Sequence, residues 1–470
     1  MNKKLSELVR AFVKGGVLST GDFYKLLLLA EKLGAPYIHL GSRQDILFPS
    51  KITDQATLEK EFSSINTFYE INAFTYQNIA SSYAAKDILP GRQWLASHVY
   101  HYILDSFQYR PKFRINVVDS LQGLVPLFTG QINFITSNKD NFWYVYLRFK
   151  EINDTPFQLP LLVFTDDLYK VAHCIEEEGL VEKGLDYMQI YDFMLKNLDL
   201  NTQPVTEELE LPETSFPYYE GINRLDDKKY WLGLYWRDNN YRISTLKQIA
   251  ERAIETNIGK ISLTPWKSLI IKGIDETDLI GWEKLMGRSG MNLRHSALEL
   301  NWHLPALSKE ALELKFYLVR ELDKMDISTY GLTFTIKTSE DITLFTSVVI
   351  EIISKDNYNI LFSRDFNPNL NSYKSYAENV PKAVLASLIV ELSRYYFERI
   401  KEDSPTSWKV KTMEENFQKD LYQCMHCQTV YDPTIGDQLA GINVGTNFQD
   451  LPEEYTCPTC GGNKNGFRQM

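Results

Sequence analysis

Four cysteines near the end of the chain form two Cys-x-x-Cys pairs, Cys424/Cys427 and Cys457/Cys460. Each pair brings two thiolates together in one tight turn, and two facing turns make a tetrahedral four-sulfur site that suits zinc or iron. The 29 residues between the pairs (428–456) exceed the roughly 15–20 that are usual in zinc ribbons. The spacing therefore predicts a metal centre rather than four buried free thiols, and it leaves iron and zinc open.

The composition of the 470-residue chain excludes several classes of protein. Five cysteines, the fifth being Cys174, are too few for the disulfide framework of a secreted protein. With a net charge of −11, the chain lacks the basic footprint that nucleic acids or anionic lipids require. No apolar run approaches the roughly 18–20 residues of a membrane span, and charged residues interrupt the N-terminal segment where a secretory signal would be apolar. We expect a cytoplasmic protein without nucleic-acid or membrane partners.

The residues between and after the cysteine pairs follow a dense pattern. It consists of Tyr431-Asp432-Pro433, Gly436-Asp437, Gly441-Ile442, Gly445-Thr446, Phe448, Leu451-Pro452, Pro458, Gly461, Lys464 and Phe467. This pattern resembles rubredoxin over essentially the whole tail. The resemblance implies one iron ion, Fe2+ or Fe3+, held by the four cysteines and carrying one electron. It also implies a small aromatic core of Tyr431, Phe448, Tyr455 and Phe467.

Two positions depart from the rubredoxin pattern, and one further residue lies close to the ligands. Gln428 follows the second cysteine, where the family has glycine, and Tyr455 replaces the family's core tryptophan. Because the glycine position favours positive φ, we expect Gln428 to tilt the N–H···S bonds and shift the potential. His426 lies between the first two ligands, and side chains there usually point to solvent. We expect it to stay outside the ligand set.

The elements that precede the tail include an internal repeat, residues 17–49 and 242–274. Each copy has a Ser-Thr helix start, an amphipathic helix, a glycine-containing turn and two apolar strands around a polar turn. Two distant copies indicate a duplicated α+β architecture rather than a solenoid. Further strands are predicted at 112–119, 131–149, 331–337 and 345–353, helices at 166–199, 308–324 and 380–401, and an exposed connection at 200–228. The predicted boundaries are 1–227 and 228–405 for the two halves, 406–420 for a linker and 421–470 for the metal domain.

Segments of this long region resemble, in chain order, the assimilatory sulfite/nitrite reductase haemoprotein family. They are residues 39–49, 110–118, 130–149, 261–274 and 358–400. The resemblance implies an α+β fold of duplicated ferredoxin-like and haem-binding α/β halves, to which the small rubredoxin-like iron-binding domain is attached. Active members bind sirohaem and anionic substrates through basic residues, and a four-iron cluster through four cysteines.

The family's basic positions are only partly kept. Arg43, Lys112 and Arg114 fall on such positions and are the candidates for an anion or sirohaem pocket, with Lys112 and Arg114 expected on one strand face. The alternative is that they are surface groups paired with acidic residues. Phe12 and Gln77 appear where the family has arginines, and both remove a bidentate anion donor.

The family's cluster ligands are missing. The two stretches that should supply them, 298–304 and 338–343, contain no cysteine, so a four-iron cluster is not expected and sirohaem is disfavoured. His303 lies near one lost ligand, but a lone histidine beside a tryptophan is more often a packed, hydrogen-bonded residue. Cys174, within a predicted helix, is expected to be an ordinary core residue.

The sequence thus predicts an electron-transfer protein, more a non-catalytic carrier than an active reductase. The reductase-like body would act as a docking or scaffold module linked to nitrite or sulfite assimilation. Its expected partners are a reductase donor and an acceptor enzyme, such as a nitrite or sulfite reductase. One alternative is a sirohaem-binding reductase that uses the rubredoxin iron in place of the cluster. The other is a zinc-stapled binding protein.

Overall fold

A computed structural model describes most of the chain, which divides into two compact units, Met1–Tyr396 and Phe397–Met470. The described residues are 7–52, 54–212, 216–217, 219–291, 299–327, 329, 331–338, 343–370, 372–403, 421–427, 429–433, 436–437, 440–443 and 445–469. The predicted linker at 406–420 lies outside them. Among the described helices, none combines the length and the apolar composition that crossing a bilayer would take.

The larger unit contains strands and helices, and its last helix continues beyond Tyr396. The strands are β1 (Glu7–Ala11), β2 (Val17–Ser19), β3 (Tyr37–Leu40), β4 (Ile46–Ser50), β5 (Tyr69–Ile71), β6 (Ala80–Ser81), β7 (Ile115–Val118), β8 (Ile132–Thr136), β9 (Phe142–Phe149), β10 (Asn153–Phe164), β11 (Thr202–Pro204), β12 (Gly221–Arg224), β13 (Lys229–Tyr235), β14 (Tyr241–Arg242), β15 (Lys260–Leu263), β16 (Ser268–Asp275), β17 (Trp302–His303), β18 (Phe334–Lys337), β19 (Val348–Ser354), β20 (Asn357–Ser363) and β21 (Tyr373–Val380). The helices are α1 (Thr20–Lys32), α2 (Gln55–Ser64), α3 (Ser97–Ser106), α4 (Leu168–Glu177), α5 (Tyr187–Asn197), α6 (Ile243–Glu255), α7 (Leu279–Ser289), α8 (Lys309–Lys324) and α9 (Lys382–Asp403).

The repeated segments build two five-stranded antiparallel sheets, with strand orders β14-β3-β4-β1-β5 and β12-β13-β16-β15-β2. Helix α1 packs against helix α6, and both bury an apolar stripe in one shared core. The two repeats also exchange strands. β2, directly before α1, pairs with β15, and β14, directly before α6, pairs with β3. Each repeat therefore completes the sheet of the other.

Two mixed sheets show the same duplication, with strand orders β11-β10-β9-β8-β7-β6 and β17-β18-β19-β20-β21. In each sheet three successive strands are parallel, and the following pairs are antiparallel. Since a parallel pair needs a long crossover, a helix connects the first two strands, α3 in one sheet and α8 in the other. The predicted α+β class and the duplicated architecture are confirmed.

Equivalent turns join the strands of the two repeats. Turn 41–45 connects β3 to β4, and turn 264–268 connects β15 to β16. In both, the N–H of the first residue donates to the carbonyl of the fifth, at 2.9 and 3.0 Å. The fourth residue, Gln44 or Lys267, has a φ of 58° in each turn. This conformation is uncommon for residues other than glycine, so its recurrence marks equivalent positions.

Some predicted elements start elsewhere than expected. Helix α1 begins as predicted, with the Ser19 hydroxyl accepting the N–H of Asp22 at 3.0 Å. Helix α6 begins at Ile243, before the predicted Ser-Thr start and without a side-chain cap, because β14 runs directly into it. The predicted exposed connection at 200–228 contains strands β11 and β12.

The strand expected to carry Lys112 and Arg114 begins only at Ile115. The Glu176 carboxylate accepts the N–H of Lys112 at 2.9 Å, and the Gln131 side chain accepts the N–H of Arg114 at 3.1 Å. Side chains rather than a neighbouring strand take these backbone donors. The expectation that the two basic residues share a strand face is therefore wrong, since both precede the strand.

The smaller unit is held by a three-stranded sheet and a small aromatic core. Strands β22 (Tyr422–Cys424), β23 (Val430–Tyr431) and β24 (Phe467–Gln469) lie in the order β23-β22-β24. The core comprises Tyr431, Phe448, Leu451 and Tyr455, with Tyr422, Ile442 and Phe467 packed against it. The four aromatic residues predicted for this core all take part. Because so small a core contributes little stability alone, bound metal is expected to supply part of the folding free energy.

Candidate metal centre

The sulfur atoms of Cys424, Cys427, Cys457 and Cys460 lie within 4.8 Å of one another. Two Sγ–Sγ distances are 3.7 Å (Cys424–Cys460) and 3.5 Å (Cys427–Cys457). A tetrahedral site with metal–sulfur bonds of about 2.3 Å has sulfur–sulfur edges of about 3.8 Å, whereas a disulfide bond is about 2.05 Å long. The four thiols are therefore spaced for one tetrahedral metal ion.

The two cysteine turns share a backbone hydrogen bond. In each, the N–H of the first cysteine donates to the carbonyl five residues later: Cys424 to Thr429 at 2.8 Å and Cys457 to Gly462 at 2.7 Å. Gly461, just after the last ligand, has a φ of 70°. Its counterpart in the first turn, Gln428, lies outside the described residues, so the expected effect of Gln428 stays a prediction.

Backbone N–H groups and one hydroxyl lie beside the outer sulfurs. The Thr429 hydroxyl, 3.1 Å from the sulfur, and the Thr429 N–H lower the pKa of Cys427 to about 6. The N–H of Gly462 donates to the sulfur of Cys460. Such donors stabilise thiolate charge and tune the potential of a metal bound there. Thr429 was not predicted from the sequence, because its side chain is not part of the ligand spacing.

The two turns expose one edge of the sulfur tetrahedron. Cys424 and Cys457 are buried, whereas Cys427 is half-buried and Cys460 is exposed. His426 is exposed. A Cβ added to Gly462 would lie 3.1 Å from Cδ2 of His426, so the histidine ring lies against that glycine rather than among the ligands. An electron held at the sulfurs is thus close to the surface of the unit.

In the larger unit, a basic cavity of about 220 Å³ lies beside the two equivalent turns. The Arg43 guanidinium donates to Asn116 Oδ1 at 2.6 Å and to two backbone carbonyls. Burial and the nearby Arg114 charge lower the pKa of Arg43 to about 9. Burial and Lys315 lower the pKa of Lys267 to about 7. The cations that line this cavity are Arg10, Arg43, Arg114 and Lys267.

The other predicted residues of this unit are more dispersed. Lys112 is exposed and is not among the lining residues of the basic cavity. Phe12 lines a separate cavity of about 830 Å³, and Gln77 lines both. His303 lines the basic cavity at 5% exposure, where burial lowers its pKa well below its usual value. Cys174 packs in the core of helix α4, as expected.

Arg10 and Lys267 were not among the site residues predicted from the sequence. Arg10 forms a buried ion pair with Glu70, and Lys267 donates to the carbonyl of Leu304. Lys267 was detectable in principle, because it occupies in the second repeat the turn position that Gln44 occupies in the first. Arg10 had no comparable signal, since its partner Glu70 belongs to a different strand.

The basic cavity is small for a sirohaem. Its volume of about 220 Å³ lies below the roughly 300–1,000 Å³ of sites for drug-sized ligands, and a tetrapyrrole is larger than those. The two terminal nitrogens of Arg43 also donate to protein acceptors, although its buried Nε has no partner among the described residues. Within the described part of the chain, the four tail cysteines are the only group of three or more His, Cys, Asp or Glu residues placed to hold a metal ion.

Two facing cysteine turns with N–H donors to sulfur define a tetrathiolate redox site, and comparisons with known proteins identify its family. The rubredoxin family model matches residues 421–467. Rubredoxin-2 of Desulfovibrio desulfuricans is 43% identical over 54 residues, 11% of this chain and 87% of that protein. The rubredoxin of Megasphaera elsdenii is 43% identical over 51 residues, 11% of this chain and 96% of that protein. Through this tail the chain belongs to the rubredoxin family, and its four cysteines form the site of one iron ion.

The high molecular weight rubredoxin of Moorella thermoacetica is 55% identical over 49 residues, 10% of this chain, but the chain spans only 21% of that protein's length. A different protein shares the fold of most of the chain. The structure of the Mycobacterium tuberculosis NirA protein superposes with a TM-score of 0.64 at 14% identity and covers 83% of this chain and 81% of its own. This likeness confirms the predicted fold of the sulfite/nitrite reductase type.

Proposed function

We propose that the chain is an electron carrier whose iron site holds the electron. The larger unit, Met1–Tyr396, here called the body, docks a redox enzyme of nitrite or sulfite assimilation. The observation that carries this proposal is the distribution of cysteines: four form the tetrathiolate site, and only Cys174 lies elsewhere. The body therefore lacks the thiols with which the reductase family holds its cluster. The role of the body as a docking or scaffold module rests on fold analogy.

The iron site supplies one-electron chemistry, because iron bound to four thiolates alternates between ferric and ferrous states. The chain's own residues set the conditions. Cys427 and Cys460 bring sulfur to the surface, and the N–H groups of Thr429 and Gly462 stabilise its negative charge. Cys424 and Cys457 are buried, which keeps water from the inner sulfurs.

Tethering gives the carrier a kinetic advantage in this proposal. A linker at 406–420 would hold the iron domain close to an enzyme docked on the body, which raises the effective concentration of the electron donor. The expected partners are a reductase that supplies the electron and an acceptor enzyme, such as a nitrite or sulfite reductase. The cytoplasm suits the site, since its thiols must remain reduced until iron binds.

Metal analysis and visible absorption of the purified chain test the iron site. We expect one iron per chain and the red ferric–thiolate bands, which bleach on addition of one electron. Stoichiometric zinc without these bands would overturn the electron-carrier proposal and favour a zinc-stapled binding protein.

Competition tests the docking role of the body. The reduced wild-type chain is mixed with a sirohaem nitrite or sulfite reductase, and the rate of electron transfer is measured. An iron-free chain with Cys424→Ser and Cys427→Ser keeps the body unchanged, so it should slow the transfer by occupying the docking site. No slowing at a large excess of the iron-free chain would contradict docking through the body.

The second candidate, a sirohaem reductase, is favoured by the shared cavity of Arg43, Arg114 and Lys267. The small cavity volume and the substitutions Phe12 and Gln77 oppose it. Expression with an adequate sirohaem supply distinguishes the two functions. We expect no Soret band from the purified chain, and a stoichiometric Soret band would favour the reductase.

A further inference from the structure

The Thr429 hydroxyl lies between two acceptors at the metal centre. Its Oγ1 is 3.1 Å from Cys427 Sγ and 2.9 Å from Thr459 Oγ1, and it donates to Thr459. A hydroxyl carries a single proton, so it can donate to only one of these atoms at a time. The direction in which this proton points therefore sets the number of donors to Cys427.

Reduction changes the balance between the two acceptors. An added electron increases the negative charge on the four sulfurs, whereas the Thr459 oxygen stays neutral. Hydrogen bonds to charged acceptors are roughly twice as strong as those between neutral groups. The reduced site therefore attracts the Thr429 proton more strongly than the oxidised site does, and a donor that binds the reduced state better raises the reduction potential.

We propose that Thr429 is a positioning residue of the redox site. Its hydroxyl turns from Thr459 towards Cys427 Sγ on reduction and raises the potential, while Thr459 acts as the competing acceptor. The proton stays on the Thr429 oxygen throughout, so the electron is taken up without exchange of a proton with water. This inference rests on the iron site described above.

The second cysteine turn provides an internal contrast. Gly462 occupies the position equivalent to Thr429, and its N–H donates to Cys460 just as the Thr429 N–H donates to Cys427. Glycine has no hydroxyl, so Cys460 lacks the additional side-chain donor. Among the donors found at equivalent positions, the two outer sulfurs therefore differ only in the Thr429 hydroxyl. Substitution of Thr429 isolates the effect of that hydroxyl.

Voltammetry of the full iron-loaded chain tests the proposal. Thr429→Val keeps the β-branched shape and the backbone N–H but removes the hydroxyl. We expect it to favour the ferric form by about three- to tenfold, and tenfold corresponds to a potential lower by about 59 mV for one electron. Thr429→Ser keeps the hydroxyl and should retain the wild-type potential. Thr459→Val removes the competing acceptor and should leave the potential equal or raise it.

The same variants define what would overturn the proposal. A Thr429→Val potential equal to that of the wild type, or an equal drop in Thr429→Ser, would exclude the hydroxyl. A lower potential in Thr459→Val would exclude the competing role of Thr459. The Thr429→Val shift should be the same at pH 6 and pH 8, because a hydroxyl does not titrate there, and a pH-dependent shift would contradict it. Absence of any redox wave in the wild-type chain would instead overturn the iron site itself.

Discussion

At the scale of the residue, substitution of a cysteine by serine should affect iron binding at Cys427 but not at Cys174. Cys427→Ser removes one of four thiolates, so the chain should lose its iron or hold it with altered visible bands. Cys174 is a buried residue of α4 at 8% exposure and is not one of the four clustered cysteines, so Cys174→Ser should keep one iron per chain. Iron analysis and visible spectra compare the two, and an unaltered spectrum in Cys427→Ser would contradict the assignment of the ligands.

Lys267 gives a prediction about pH. Burial lowers its folded pKa to about 7, below its ordinary value of 10.5. The unfolded chain therefore binds the proton more strongly, and stability is lost as the pH falls from about 10 to about 7. Lys267→Met removes the buried charge, so it should stabilise the body at pH 6 by about 1–4 kcal/mol and have a smaller effect at pH 9.

Urea unfolding of the Lys267→Met variant at both pH values measures this difference. Lys25, which is exposed and paired with Asp22, provides the control, since Lys25→Met should change stability little at either pH. An equal effect of Lys267→Met at pH 6 and pH 9 would mean that the lysine stays protonated over this range in the folded chain, and it would contradict the lowered pKa.

At the scale of the element, two glycines test the packing of the second repeat. A Cβ on Gly233 in β13 would lie 1.9 Å from the carbonyl oxygen of Tyr219, which is backbone and cannot move aside. Gly233→Ala should therefore destabilise the body by about 1–3 kcal/mol or more. Gly287 in α7 has open space around its Cα, so Gly287→Ala should stabilise it by up to about 1 kcal/mol. Chemical unfolding compares both with the wild type, and equal effects would contradict the packing of β13.

Some elements could be predicted from the sequence and others could not. The difference is how far apart in the chain their hydrogen-bond partners lie. The helix that Ser19 caps and the two cysteine turns were predictable because their bonds join residues close in the chain. The late start of β7 was not, because the carboxylate of Glu176 takes the N–H of Lys112 from a distant helix. The same holds at the metal centre, where the four ligands follow from their spacing but the Thr429–Thr459 bond requires the fold.

At the scale of the whole molecule, the strand exchange should prevent the two repeats from unfolding independently. Pairing of β2 with β15 and of β14 with β3 joins segments that are far apart in the sequence. Neither sheet can be completed without a strand from the other repeat. Loss of one sheet would leave an unpaired edge in the other, which is unfavourable for buried backbone groups. The body should therefore behave as a single cooperative unit, although its architecture is duplicated.

Hydrogen exchange of the Gly233→Ala variant tests this cooperativity. Gly233 belongs to the sheet of the second repeat, whereas β1 and β4 pair in the sheet of the first. If the repeats unfold together, the slowest-exchanging amides of β4 should lose protection by the same free energy as those of β16, because both exchange through the same global opening. Halves that were independent across the predicted boundary at 227/228 would lose protection in β16 alone. Gly287→Ala should slow exchange in both sheets by the same free energy. Although Gly287 lies in a helix and not in either sheet, its substitution stabilises the same cooperative unit.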